Sequence, residues 1–278
     1  MHNYICINNG YYNTKVCNEF GVKHVFESTI GQVLDVNDTE TVTLNGKTYK
    51  VGVSGGKRDL ALDKSNNVTQ EACIKYAKEK FTGSHIDTVF SCMSINQYIN
   101  PVARAQYETL LRKYFDNVYV AMEGFISVLA DEEIFKDECV VLADLGGLTL
   151  DTLVIEDNKI KDESPQSANL GIIHYQNLAR TWYQQTYAEE VADSALNQVT
   201  KRFGDKVIDD YMKEIEQHFK SNKYPSINLA RYKFVGGGAV LLKDKLQEHF
   251  PGCIIADGDT PLWENVLGLK ALADNLPR

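Results

Sequence analysis

No two of the six cysteines (Cys6, Cys17, Cys73, Cys92, Cys139 and Cys253) lie within four residues of each other. That excludes a zinc ribbon, a CxxC redox pair and a haem attachment site. Their scatter through apolar segments predicts reduced core cysteines in a cytosolic protein. No apolar run approaches the roughly 18 residues of a membrane helix. The start, Met1-His2-Asn3-Tyr4-Ile5-Cys6-Ile7, lacks the basic region and long apolar run of a signal peptide. The expected compartment is the cytoplasm, without membrane contact. Positive charge is also short: 29 Lys and Arg against 38 Asp and Glu leave a net charge of −9. A protein binding bare DNA through its own surface would show the opposite balance, so direct nucleic-acid contact is not expected.

The common nucleotide motifs are missing as well. A GxGxxG fingerprint starting at Gly236 would need glycine at 241, where Leu241 stands. Gly46-Lys47-Thr48 mimics the end of a P-loop, but position 41 is Thr and a strand pattern follows instead of a helix. No Ser-His-Asp triad is discernible around His2, His24, His85, His174, His218 or His249. What is there is an ordinary globular composition, 44% hydrophobic and 24% charged over 278 residues. That length suggests two domains at about 150 residues each.

Strand and helix patterns alternate along the chain, which gives an α/β class. Tyr4–Ile7 and Thr14–Cys17 read as short strands about a turn. Thr41–Leu44 and Lys47–Val51 flank Asn45-Gly46, the strongest short hairpin signal. Helical spacing is predicted over Gln70–Phe81, Ala103–Tyr114, Gly124–Asp131 and Leu241–Phe250. Strands are predicted at Thr88–Phe90, Val118–Met122, Cys139–Ala143, Thr149–Glu156 and Tyr232–Val235. Residues 171–220 read as largely helical, interrupted near Phe203-Gly204-Asp205. Each half opens with strand, glycine turn, strand, and the boundary is expected near Lys136–Glu138, just before a buried strand.

Three glycine turns are candidates for phosphate handling. In Asn8-Asn9-Gly10-Tyr11-Tyr12-Asn13-Thr14-Lys15 the plain alternative is a structural hairpin. The functional reading is a turn whose N–H groups face a phosphate, with Lys15 as a cation. Tyr11 and Tyr12 read as packing residues. Asp144-Leu145-Gly146-Gly147-Leu148-Thr149-Leu150-Asp151 is more specific. It places a carboxylate at the end of a buried strand, where charge is costly unless paired or metal-associated. Its two glycines allow close backbone approach, Thr149 offers a hydroxyl, and Asp151 returns on the partner strand. Gly236-Gly237-Gly238-Ala239 lies between a strand and a helix; its plain alternative is a tight turn needing small residues only for packing.

The order of these motifs, with Glu123 following a strand, resembles the actin-like ATPases. The segments resemble, in turn, that fold's first phosphate loop, first connecting segment (Glu123), second phosphate loop and adenosine loop. Asp259-x-Pro261-x-Trp263-Glu264-Asn265-Val266-Leu267-Gly268 resembles its second connecting segment. The match runs from residue 5 to residue 268. The short chain and Asn45-Gly46-Lys47-x-Tyr49-x-Val51-Gly52 are similar to plasmid-segregation actins of the ParM and AlfA type. The brevity between Asp151 and Gly236 points to members lacking the outer subdomain of the second lobe.

The resemblance implies an actin-like (ribonuclease H-like) α/β fold of two lobes about a nucleotide cleft, with mixed sheets and a reduced second lobe. Lobe I would be residues 1–137, with an outer subdomain at about 22–84. Lobe II would be 138–278, its segment from about 262 to 278 packing back on lobe I. The implied function is ATP-dependent filament formation that segregates plasmid DNA through a DNA-binding adaptor, with slow ATP hydrolysis controlling filament turnover. The cofactors would be ATP or ADP with Mg²⁺, and the partners other copies of the chain and the adaptor. Asn8, Gly10, Asn13, Lys15, Gly146, Gly147, Thr149, Gly236, Gly237 and Gly238 would bind nucleotide. Asp144 would be the principal metal carboxylate and Glu123 would position the attacking water; without the resemblance, Glu123 reads as an acid at a helix N-terminus. Asn8 stands where the family usually carries Asp, which keeps an acceptor but brings no charge to the metal. The alternatives are a sugar or acid kinase of the same fold and a nucleotide-dependent scaffold with little turnover.

Overall fold

The computed structural model describes residues 3–33, 38–60, 67–81, 86–131 and 138–276. The chain divides into two compact units, Met1–Glu132 with Trp263–Arg278, and Glu133–Leu262. The boundary expected near Lys136–Glu138 falls largely outside the described residues.

The first unit opens with an antiparallel meander: β1 (Tyr4–Asn9), β2 (Asn13–Asn18) and β3 (Lys23–Glu27). A small sheet follows, of β4 (Ile30–Gly31), β5 (Thr41–Leu44) and β6 (Lys47–Val51) in the order β4-β6-β5. The β5–β6 turn is Asn45-Gly46 at φ 48° and 78°, the paired positive values that a two-residue hairpin of this twist requires. Helix α1 (Val68–Phe81) leads to β7 (Thr88–Met93), the short α2 (Ile95–Ile99), α3 (Pro101–Leu111) and β8 (Asn117–Met122). Asn100 caps α3 by accepting from the N–H groups of Val102 and Ala103, with Pro101 at the first helical position. The main sheet runs β3-β2-β1-β7-β8, with β1, β7 and β8 parallel. Ile5, Ile7, Val89, Ile74, Tyr107 and Leu111 centre its core.

The second unit repeats this plan. β9 (Cys139–Leu145) and β10 (Leu150–Glu156) form a hairpin of seven paired residues each, extended by β11 (Lys159–Ile160) and β12 (Gln166–Ala168). Helices α4 (Ile172–Tyr187), α5 (Leu196–Phe203) and α6 (Ile208–Ser221) lead to β13 (Arg231–Val235), which joins β9 in parallel. Ile254 bridges Lys233 in parallel on the far side of β13. This is the position that β8 holds in the first sheet. Helices α7 (Gly237–Leu241) and α8 (Lys243–His249) follow. Ile208, Tyr211, Ile215 and Phe219 of α6 pack with Val141, Ala143, Tyr232 and Phe234, so one side of this helix is a buried face. The final helix, α9 (Thr260–Asn275), carries the chain back into the first unit from Trp263 onward.

Three expectations are corrected. Gly124–Asp131 is a 3₁₀ turn over Phe125–Ala130, entered through Gly124 at φ 75° and tightened by Ser127, whose N–H and Oγ both donate to the Gly124 carbonyl. The helical stretch 171–220 breaks earlier than expected as well as near Gly204. α4 stops at Ala188 in the left-handed region, and an exposed stretch of acids and alanines reaches a short 3₁₀ turn, Asp193–Ala195, before α5 begins. The helix expected over Leu241–Phe250 starts at Gly237 and is broken at Leu242. Strands β3, β4, β11 and β12 are too short or too exposed to show alternation, and the sequence reading omits them. The described cysteines are all free, and five of the six are buried. No described helix is long and apolar enough to cross a membrane.

Candidate nucleotide site

In the first unit, Asn8 and Glu123 both lie at the C-terminal edge of the parallel strands, where open α/β sheets bind ligands. They are two strands apart, about 10 Å at the usual strand spacing. Asn8 pairs with Lys15 and Asn9 with Thr14 across the β1–β2 hairpin, so the turn is Gly10-Tyr11-Tyr12-Asn13. A Cβ on Gly10 would lie 2.8 Å from the Asn13 carbonyl, 3.6 Å from Lys15 Nζ and 3.8 Å from Asn8 Oδ1. A side chain at this position would therefore crowd the Asn13 carbonyl and lie beside Lys15 and Asn8. Asn8 is 3% exposed and its Oδ1 has no hydrogen-bond partner, a cost of about 1–3 kcal/mol for a buried acceptor. The hairpin is pinned from behind. Ser28 Oγ donates to the Gly10 carbonyl (2.5 Å), and Thr14 Oγ1 donates to Asn9 Oδ1 (3.0 Å).

Sequence reasoning missed Arg58. Its guanidinium lies 4.2 Å from the ring centre of Tyr12 and reaches Glu27 at 3.4 Å. A single Arg after Gly55-Gly56-Lys57 carries no local sign that it docks on a turn more than forty residues away.

Glu123 follows β8, and its N–H donates to the Met93 carbonyl (2.7 Å). The next residue, Gly124, donates its N–H to Asn265 Oδ1 (3.1 Å), and a Cβ on Gly268 would sit 1.8 Å from the Ile126 carbonyl. The Asn265…Gly268 segment is therefore docked on the turn behind Glu123.

In the second unit, Asp144 and Asp151 are direct cross-strand partners, both buried. Thr149 Oγ1 donates to Asp151 Oδ2 (2.7 Å), and Gly146 N–H closes the turn on the Thr149 carbonyl (2.9 Å). The carbonyls of Gly146, Gly147 and Leu148 accept from the N–H groups of Ile172, Ile173 and Gly171 at the start of α4. With its carbonyls committed to α4, the turn is left to offer N–H groups to a ligand, beside the positive end of a 16-residue helix. A Cβ on Gly171 would lie 2.5 Å from the Leu148 backbone, so this docking depends on that glycine.

Gly236, at φ 89°, abuts the same strand end: a Cβ there would lie 2.3 Å from Asp144 Oδ1. On Gly238 a Cβ would lie 2.4 Å from Leu145 Cγ, whereas on Gly237 it would meet Leu262 at 3.2 Å. Close packing thus accounts for Gly236 and Gly238. Lys233 is a buried lysine, 1% exposed, on the same face of the sheet as Asp144, since Val235 pairs with Asp144 and Lys233 with Leu142.

Among the described residues no three His, Cys, Asp or Glu side chains cluster as a metal cage. The donor set fits Mg²⁺ all the same, because that ion keeps most of its waters and uses one or two carboxylates together with substrate phosphates. Asp144, buried at the end of β9, would be the carboxylate to hold it.

No family model and no curated protein matches the chain. Solved structures do. A 15-stranded ParM filament from Clostridium botulinum aligns over 99% of both chains at 15% identity and a TM-score of 0.78. The archaeal actin homolog Ta0583 in complex with ADP aligns over 99% of this chain and 100% of its own, at 15% identity and a TM-score of 0.77. The Alp12 filament structure covers 99% of both at 18% identity and a TM-score of 0.65. Full-length coverage at these scores establishes that this chain has the actin-like fold.

Proposed function

We propose that the protein is an ATP-dependent, filament-forming actin-like ATPase that segregates plasmid DNA through a separate DNA-binding adaptor. The observation that carries this reading is the duplicated sheet. Each unit places a hairpin turn at the C-terminal end of its first strand, one beside Lys15 and the other at the start of α4. Two such turns suit a polyphosphate, whose oxygens are satisfied by preorganised N–H donors and a cation. Asn8, Gly10, Asn13 and Lys15 are the phosphate-binding residues proposed in the first unit, and Gly146, Gly147 and Thr149 those proposed in the second. Asp144 would hold Mg²⁺, and the ion would neutralise charge on the phosphates. Gly236, Gly237 and Gly238 border the nucleoside, and Glu123 orients the attacking water. The functional lobes are 1–137 and 138–278, with 262–278 returning to the first. An ADP-bound relative and filament-forming relatives of the same fold support nucleotide binding and self-association here.

The test is an ADP-release assay on the purified protein with ATP and Mg²⁺, with and without a panel of sugars and small acids. Slow release that rises with protein concentration and ignores the panel is expected. Release that depends on one hydroxyl-bearing compound would make the protein a small-molecule kinase.

A further inference from the structure

The back of the β1–β2 turn is built by the chain around the small sheet. Ser28, between β3 and β4, donates its N–H to the Tyr12 carbonyl (3.0 Å) and its Oγ to the Gly10 carbonyl (2.5 Å). The next two residues join the loop that follows β6. Gly52 N–H donates to the Thr29 carbonyl (3.0 Å), and Thr29 Oγ1 donates to the Val53 carbonyl (2.8 Å). Ile30 and Lys57 exchange both backbone hydrogen bonds (2.9 and 2.8 Å). Arg58 comes next and returns to the turn. Its Nη2 approaches the Tyr12 carbonyl at 3.5 Å and the Glu27 carboxylate at 3.4 Å, and its guanidinium carbon lies 4.2 Å from the Tyr12 ring centre. Turn, β4, loop and Arg58 form one closed circuit of contacts.

An apolar side chain would serve better as a prop. Arg58 instead brings a guanidinium whose Nε is buried without a partner, a cost that a purely structural contact does not need. The Arg58 and Glu27 side chains are 22% and 36% exposed, so water screens their ion pair and it contributes little by itself. The favourable features are the planar stack on Tyr12 and the positive charge set against a turn proposed to take an anion. We infer that Arg58 is a positioning residue for this turn, fixing Tyr12 on its back and carrying occupancy of the turn to the small sheet. The inference rests on the proposed role of the Asn8–Lys15 turn in holding phosphate, and it names what that binding acts on. A turn that tightens on a ligand moves Tyr12, and through Arg58 the loop hydrogen-bonded to β4.

The test compares the full-length protein with Arg58→Gln, Arg58→Lys and Tyr12→Leu. The lysine keeps the charge without the plane, and the leucine removes the ring. Affinity for ATPγS is measured with Mg²⁺, followed by amide hydrogen exchange over β4–β6 with and without saturating ATPγS. Nucleotide should slow exchange in β4 and β6 of the parental protein. Each variant should bind ATPγS about tenfold more weakly, as for a lost cation–ring contact and a hydrogen bond to a charged group. At saturation each should lose most of the slowing although its site is filled, a response that a mere prop would not control. Arg58→Gln combined with Tyr12→Leu should bind no more weakly than either alone, because both remove the same contact. Parental affinity in all three variants, slowing retained at saturation, or no slowing in the parental protein would overturn the inference and leave the proposed function standing. If the parental protein binds no ATPγS, both fall together.

Discussion

Gly236 and Asp144 are held so close that a single added carbon on the glycine would lie 2.3 Å from the carboxylate. The close approach lies where the parallel strands β9 and β13 end. Gly236→Ala meets two penalties: a φ of 89° that a side chain resists, and a collision with a buried carboxylate. A cost of about 2–4 kcal/mol is expected from strain and overpacking together. Urea unfolding should show it as a lower midpoint, and nucleotide binding should weaken because Asp144 is displaced.

Asp144 and Glu123 should separate by role. On the proposed function, Asp144→Ala removes the carboxylate that would order the metal, and ATP binding and assembly should be lost together. If Glu123 orients the attacking water as proposed, Glu123→Ala should leave binding intact and slow phosphate release by roughly 10²-fold or more, because that interaction counts in the transition state rather than the bound state. Its filaments should persist longer. Parallel measurements of affinity, pelleting and phosphate release check the split; hydrolysis at the parental rate in Glu123→Ala would remove that residue from the role.

A pH dependence follows from His218. Its Nδ1 faces the Asn222 amide at 3.2 Å and its Nε2 lies 2.9 Å from Thr152 Oγ1, which also contacts Tyr224 at 2.9 Å. Asn222 can only donate from that nitrogen, so Nδ1 accepts and the ring is neutral. Burial holds its pKa below the ordinary 6.5. With the folded value depressed, the unfolded chain takes up the proton first. The stability contributed is complete above the unfolded pKa and is lost as pH falls through the window below about 6.5. Urea midpoints should drop from pH 7.5 to 5.5, and His218→Gln should flatten that part of the drop.

The purified protein should not bind duplex DNA tightly. A net charge of −9 leaves little to neutralise phosphates. Salt-sensitive, high-affinity retention of duplex DNA in a mobility-shift assay would contradict the need for an adaptor.

Much of the fold is legible in the sequence where local chemistry is decisive. Asn45-Gly46 specifies its hairpin because few other residues accept two positive φ values. Cys139–Ala143 reads as a strand because both of its faces are covered. The seven-residue spacing from Asp144 to Asp151 puts the two acids opposite each other once a four-residue turn is assumed. What escapes is what depends on distant partners. Gly171 looks like any glycine before a helix, although it lies against the second turn. Ala188 adopts the left-handed conformation without the glycine that would announce it.

Sedimentation of the protein at high concentration with ATP and Mg²⁺, against ADP and no nucleotide, tests the central claim most directly. Heterologous head-to-tail contacts between identical subunits build open polymers. The account predicts a pelletable polymer with ATP, lost as nucleotide is hydrolysed and absent without it. A strictly monomeric profile under all three conditions would contradict it.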